Sequence, residues 1–438
     1  MATVVRQDPA ADNLTARYDR VRELSEQLCE PLATEDYVVQ SMEDVSPTKW
    51  HLAHTSWFYE TFILKPHLPG YRELNPAYAY LFNSYYMQAG ERHCRAQRGY
   101  ISRPTVAEVF QYRHHVDEAM RSLLGGAAVA GPGGNAAGEG VAADPAAVAR
   151  LLEIGLNHEQ QHQELMLTDI KHVFSVNPLR PAYRTATGSP EASPQTPALE
   201  WADFEGGLCE IGHDGAGFSY DNESPRHRVW LEPFQLANRL VTAGEYMEFM
   251  ADGGYQRPEL WLSMGWATLQ EQDWSEPFYW EQRDGAWMHY TLAGMRPVDP
   301  AEPICHLSYF EADAFARWAG ARLPTEPEWE VAAATVPVRG NFVEDGVLHP
   351  APASSAGGLQ QIFGDVWEWT SSQYTPYPGY TPPPGALGEY NGKFMCNQFV
   401  LRGGSCATSQ THIRATYRNF FPPDATWQFS GLRLARGA

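Results

Sequence analysis

Asn157-His158-Glu159-Gln160-Gln161-His162-Gln163-Glu164 sits inside a run with a clear helical period. Leu151, Ile154, His158, His162, Leu165 and Asp169 follow one another at steps of three and four, so they share one helix face. Both imidazoles therefore lie on the stripe that otherwise carries Leu and Ile. Asp144 followed by Pro145 marks the start, a capping side chain with proline at the first helical position, and Asn177-Pro178 marks the end. Two histidines one turn apart on an inward face reach the same point in space and can hold a metal. The competing account is a pair of core histidines, each satisfied by a hydrogen bond. A pair at i, i+4 flanked by Glu and Gln favours the metal.

Three more helices precede this one. The first runs from about Asn13 to Cys29, with Leu14, Tyr18, Val21, Leu24 and Leu28 on one side. The second opens at Ser46-Pro47, again cap then proline, and carries Trp50, His54, Trp57, Phe58 and Phe62 before Pro66 stops it. His54 lies on its aromatic stripe and His51 toward the edge. The third spans about Thr105 to Leu124, and the Gly/Ala/Val/Pro segment 125–143 reads as a flexible insertion. Four amphipathic helices with no strand-like run between them predict an antiparallel four-helix bundle. Such bundles build metal sites from inward residues on facing helices, and His54 with His158 and His162 fits that plan.

Beyond Leu179 the composition shifts to Pro, Ser, Thr and Ala, the mark of a linker. We therefore expect a helical bundle over 1–180, a linker over 181–199 and a second domain over 200–438. That second domain has a strand-like piece at His227 to Leu231, helical periodicity at Thr242 to Met250 and Ser308 to Ala319, and many Gly and Trp between them. The pattern is that of an irregular α+β domain.

The 438 residues are enough for two or three full-sized cores. A formal net charge of −21 argues against nucleic acid or an anionic membrane as partner. No run of about eighteen apolar residues and no basic-then-apolar N-terminus is present, so a cytoplasmic location is expected. The six cysteines are scattered without a Cys-x-x-Cys, which suggests neither a zinc knuckle nor a redox pair, and they are read as reduced.

Read literally, His158-Glu159-x-x-His162 is also the zinc-peptidase signature, with the glutamate as general base on metal-bound water. Gln160-Gln161 stands where such peptidases usually carry apolar residues, and the longer form fails at Leu165 and Thr168. Glu164 lies about 200° round the helix from His162, so this helix cannot offer a carboxylate beside both histidines. Three neutral imidazoles leave coordination positions open and suit either zinc hydrolysis or iron chemistry with oxygen. Spacing does not choose between them.

Leu52-Ala53-His54 followed by His158-x-x-x-His162-x-Glu164 resembles the bundle domain of the non-haem iron sulfoxide synthases of ergothioneine biosynthesis, the hercynine oxygenases. The second half is similar to the formylglycine-generating-enzyme or C-type-lectin-like domain that follows in that family. Its marks are Arg322-Leu-Pro-Thr-Glu-x-Glu-Trp-Glu330, Gly364-Asp-Val-Trp-Glu-Trp-Thr370, Leu401-Arg-Gly-Gly-Ser405 and Gly431-Leu-Arg-Leu-Ala435. The resemblance implies a DinB-like bundle holding Fe(II) through His54, His158 and His162. It places Gln161 and Asn419 on hercynine, with Phe420 where an aromatic face meets the trimethylammonium. Members that use γ-glutamylcysteine carry an Asp and an Arg where this chain has Phe421 and Ala425. Asn83-Ser84-Tyr85-Tyr86 looks like the tandem tyrosine of members that use free cysteine, so cysteine is the expected sulfur donor. Arg98 and Arg103 are candidates for its carboxylate.

The implied reaction joins hercynine, cysteine and O2 into hercynylcysteine sulfoxide. A Tyr85 or Tyr86 hydroxyl acts as general acid, and without that proton oxidation drifts to cysteine sulfinate. Histidine in place of hercynine, as in ovothiol-type synthases, is the nearest alternative. A zinc peptidase, a non-catalytic binding module and copper-dependent formylglycine generation are the others. The last has no paired catalytic cysteines, although Cys396 and Cys406 lie close in sequence.

Overall fold

The computed structural model describes residues 13–126, 144–185, 196–354 and 357–438. The chain divides into two compact units, one of Met1–Val176 with Pro384–Tyr390, the other of Asn177–Pro383 with Asn391–Ala438. The first unit therefore takes a short segment from far along the chain. Composition gives no sign of that. The expected insertion at 125–143 lies almost wholly outside the described residues, as does most of the expected linker. Tyr183, at the start of that linker, is buried and donates its N–H to Leu292 O of the second unit's own fold.

The first unit is built on four long helices: α1 (Leu14–Gln27), α2 (Thr48–Tyr59), α3 (Val106–Gly126) and α4 (Pro145–Val176). Each start has a local cause. Asn13 Oδ1 accepts from Ala16 N at 2.8 Å, and Asp144 Oδ1 accepts from Ala146 N at 3.0 Å with Pro145 as the first helical residue. Thr105 and Glu108 cap α3 reciprocally.

The second helix departs from expectation at both ends. Pro47 itself takes the cap position and no side chain caps it. Ser46 is used otherwise: its N–H donates to Asp169 and its Oγ accepts from Arg98. Nor does Pro66 end the helix. After Tyr59 the chain makes a π turn over Glu60–Leu64 and a last helical piece over Lys65–His67. Pro66 lies in the last turn of this continuous helical run, which stops one residue later at His67.

Helix α2 packs against both α3 and α4, and α1 packs against α4. The approach of α2 and α4 depends on Gly155, since a Cβ there would lie 2.5 Å from Tyr59 Cε1. That close crossing is one turn from His158. A buried ionic network joins α1, α3 and α4. Arg22 pairs with Asp117 at 2.7 Å and with Glu159 at 3.0 Å, and Arg113 pairs with Glu159 at 2.7 Å.

The second unit is the irregular α+β fold expected. Trp201–Phe204, Phe234–Ala237 and Ala435–Gly437 form one antiparallel sheet. Trp280–Arg283, Ala286–Thr291 and Gly294–Pro297 form a meander. A four-stranded mixed sheet carries Asn419–Phe421, Phe399–Arg402, Trp367–Gln373 and Ser430–Gly431 in that order. Helices fall at Ala243–Ala251 and Tyr309–Trp318, as the periodicity predicts, each behind a Thr or Ser capping box.

The long motifs of this half interlock. Glu326 and Glu330 of the first bind Arg402 of the third at 2.8 and 2.7 Å, and Glu368 of the second binds Arg433 of the fourth at 2.9 Å. All are buried, so these motifs are spent on holding the fold. No helix among the described residues is long and apolar enough to cross a membrane.

Candidate metal centre

His54, His158 and His162 come together in the first unit, with one ring nitrogen of each within 4.8 Å of the others. All three are buried. His54 Nδ1 lies 2.6 Å from Phe82 O, so it must carry the proton and donate, which leaves Nε2 as a lone pair. That Nε2 faces His158 Nε2 at 3.2 Å. On the third ligand, His162 Nδ1 lies 2.8 Å from His51 Nδ1, and His51 Nε2 lies 2.9 Å from Asp169 Oδ2. Donation from His51 Nε2–H to the carboxylate makes His51 Nδ1 the acceptor. His162 Nδ1–H then donates to it, and His162 Nε2 points its lone pair elsewhere. A carboxylate and a second imidazole thus fix the tautomer of the third.

The centre favours neutral rings. Burial, then the neighbouring His158, holds His54 and His162 well below the ordinary imidazole range. Burial pulls His158 down to about 3 against the opposing charge of Glu159. Trp50 and Trp57 stack on His54 at 4.6 and 5.4 Å between centroids, and Phe58 lies 4.6 Å from His158.

Glu159, the would-be base of the peptidase reading, is committed elsewhere. It is 1% exposed and bound by Arg22, Arg113 and Ser25 Oγ. Burial works to raise its pKa, but Arg113 and Arg22 outweigh that and hold it at about 2. A carboxylate locked between two guanidiniums is not a general base at neutral pH.

Gln161 lies at the edge of this centre and accepts a hydrogen bond from Tyr390 Oη. Tyr390 belongs to the segment that joins the first unit, and its ring sits 5.8 Å from that of His158. Glu389 beside it accepts from Met87 N and Gln88 N at 3.0 and 2.9 Å. Tyr86 is fully buried against Trp57, Phe62 and Tyr85, while Tyr85 is half-buried and stacks on Tyr86 at 4.7 Å.

The two arginines part company. Arg103 is exposed and donates to Ser102 O. Arg98 is 5% exposed, lies 3.3 Å over the Trp50 ring, and donates through Nη1 to neutral Ser46 Oγ. Its Nε has no hydrogen-bond partner among the described residues. Burial, then Arg95, brings it down to about 9. In the second unit, Asn419 Oδ1 accepts from Phe420 N, and Phe420 stacks on Tyr374 at 4.0 Å.

Residues 17–166 match the family model of the DinB superfamily, and 187–351 and 346–438 match the model of the sulfatase-modifying factor enzyme 1-like domain. The hercynine oxygenase of Mycobacterium tuberculosis is 31% identical over 417 residues, which span 89% of this chain and 91% of that one. This chain belongs to the hercynine oxygenase family. The hercynine oxygenase of Mycolicibacterium thermoresistibile is 32% identical over 426 residues, spanning 89% and 87% of the two chains. A formylglycine-generating enzyme of Streptomyces coelicolor is 28% identical over 274 residues, 51% of this chain. Like its family, the protein is an enzyme of the non-haem iron oxygenase class, with a DinB-like domain followed by a formylglycine-generating-enzyme-like one. Cys396 is exposed and Cys406 fully buried, and both are free cysteines.

Reasoning from sequence missed His51, Asp169 and Tyr390 as neighbours of this candidate centre. The first two had a signal, because His51 stands three residues before His54 and Asp169 continues the stripe of His158 and His162. Tyr390 had none, being 229 residues from Gln161.

Proposed function

We propose that this protein is an Fe(II)- and O2-dependent sulfoxide synthase acting in ergothioneine biosynthesis. It would join the sulfur of cysteine to the imidazole carbon of hercynine and give hercynylcysteine sulfoxide. The observation that carries this reading is the buried set of three neutral histidines in the helical first unit, beside a glutamate, Glu159, that is already bound by Arg22 and Arg113. The three donors fit a divalent ion: His54 and His162 are held in the tautomer that offers Nε2, and His158 Nε2 lies 3.2 Å from His54 Nε2, so one cation could meet both rings. Ferrous iron at that site supplies the redox chemistry that engages dioxygen and the thiol.

The reaction balances as hercynine + cysteine + O2 giving the sulfoxide and water. Forming the C–S bond removes two hydrogens and two electrons, and oxidation of sulfur to the sulfoxide removes two more. One oxygen atom ends on sulfur and one in water, which needs protons delivered in the site.

The remaining roles fall to the chain. Arg98 is the better receptor for the cysteine carboxylate, because a buried guanidinium bound to neutral groups gains most from an anion. Exposed Arg103 gains little. Gln161 would hold hercynine by an amide contact. Phe421 and Ala425 cannot pair with the extra carboxylate of γ-glutamylcysteine, which supports cysteine as donor. Tyr85 and Tyr86 are the proposed sources of a proton at Oη, and the Tyr390 hydroxyl, beside Gln161, is a third.

Anaerobic loading with Fe(II), then oxygen with cysteine and hercynine, should yield the coupled sulfoxide by mass spectrometry. γ-Glutamylcysteine and histidine serve as parallel substrates. His158→Ala should lose its iron and slow turnover by about a thousandfold or more, the scale of losing a metal from a catalytic site. A preference for γ-glutamylcysteine would overturn the donor, and a preference for histidine the acceptor. Peptide cleavage with zinc and no coupling would overturn the reading altogether.

A further inference from the structure

The second unit holds another cluster with metal-ligand chemistry, formed by His289, Glu302 and His349. One ligand atom from each lies within 4.8 Å of the others. We propose that these three residues bind a second divalent cation of the zinc class, independent of the iron centre.

Each ligand is positioned by its own element. His289 is buried on the middle strand of the Trp280–Pro297 meander, directly across from Arg296. Arg296 donates to both Glu302 oxygens at 2.7 and 2.6 Å and so aims that carboxylate at the same strand. The Glu302 backbone carbonyl is held by Ala243 N at 2.8 Å. His349 comes from an irregular loop. Its carbonyl accepts from Asn341 Nδ2 at 2.7 Å, and its Nε2 lies 3.0 Å from Glu302 Oε2. The two imidazoles meet at 5.2 Å with their planes at 88°, so they approach one point from different directions.

Two further observations set this apart from a plain hydrogen-bond chain. The residue before His349, Leu348, has φ +53°, and His306 beside the cluster has φ +68°. Both are left-handed conformations that cost a branched or bulky residue energy and persist where the surroundings impose them. They also flank a cavity of about 10 Å³ lined by His289, Glu302, His349, Cys305, His306 and Tyr279. That is room for about one water and far too little for an organic substrate. Two imidazoles and a carboxylate are a borderline-soft donor set that suits zinc or cobalt, with one small molecule as a fourth ligand. The cation would clip the His349 loop to the meander. Arg296 already shares the Glu302 charge, so binding is weaker than at a site with an unpaired carboxylate; being a third exposed, it can swing outward.

The test uses the full chain with the iron centre disabled by His158→Ala and His162→Ala, stripped with chelator and titrated with Co(II). One equivalent should bind at pH 7.5 and give the visible absorption of a four-coordinate ion. Adding His349→Gln should weaken that binding at least about tenfold, and it should fade below about pH 6 as the imidazoles protonate. Absence of Co(II) uptake, or uptake indifferent to His349→Gln, overturns the proposal. If the double variant loses its circular dichroism, the native chain loaded first with Fe(II) and then titrated with Zn(II) decides. A second equivalent that Glu302→Gln removes supports the site, and no second equivalent refutes it.

Discussion

Glu159 on α4 and Glu311 on the helix Tyr309–Trp318 are both about 1% exposed, yet burial has opposite outcomes for them. Glu159 sits between Arg22 and Arg113 and is held at about 2. Glu311 accepts from Tyr255 Oη at 2.6 Å and from Ser308 N and Oγ at 2.8 Å, and no guanidinium touches it among the described residues. Burial pushes it up to about 7, with those hydrogen bonds pulling the other way. Depth alone does not decide the charge of a buried carboxylate. The partners do, and in the first unit an ionised Glu159 held by its own arginines stands beside a neutral His158, whose burial outweighs the pull of that carboxylate.

The largest way to break this comparison is Glu159→Gln. It leaves two buried guanidiniums short of their anion and should cost about 3–5 kcal/mol of stability, read from urea unfolding of the first unit. Iron binding by the molecules that stay folded should be nearly unchanged. A peptidase-type base would behave oppositely, with stability kept and activity lost. The sign with pH is also fixed. A carboxyl depressed from 4.5 to about 2 contributes its stability above about 4.5 and loses it as pH falls toward 2.

Glu311 predicts the reverse slope. Its folded form holds the proton more tightly than the unfolded chain, so stability falls as pH rises from 4.5 to about 7 and stays lower above that. Glu311→Gln should flatten the slope between pH 5 and 8, an effect of up to about 3 kcal/mol. Urea midpoints of the wild type and the variant at the two pH values would show it. Equal slopes in both proteins would mean that Glu311 is ionised in the fold despite its burial.

Sequence periodicity made the bundle legible because α4 is long and its stripe regular, and it delivered His158, His162 and, through the aromatic stripe of α2, His54. The caps of α1 and α4 were readable for the same local reasons. What was not readable is non-local. Ser46 looks like a cap until Arg98 and Asp169 claim it, and Pro66 looks like a stop because a π turn has no periodic signature. In the second unit the interlocked Glu–Arg pairs are long-range, so motifs that look like function are mostly salt bridges. Tyr390 belongs to the first unit although it stands 229 residues from Gln161, a pairing that no local pattern signals.

Asp169 sharpens the comparison as a third kind of buried carboxylate, 3% exposed and paired with neither arginine nor tyrosine. Its Oδ2 takes Ser46 N at 2.8 Å and His51 Nε2 at 2.9 Å, and His51 passes the orientation to His162. Asp169→Asn keeps an oxygen for both donors and removes only the charge, so it should lower Fe(II) affinity by about tenfold. Asp169→Ala removes the orientation as well and should approach about a hundredfold. Competition against a chromogenic chelator under anaerobic conditions measures both. A purely structural role would lower thermal stability in both variants while leaving the affinity of the folded protein where it was. The graded loss is what separates a residue that tunes a ligand through another imidazole from one that merely fills its place in the core.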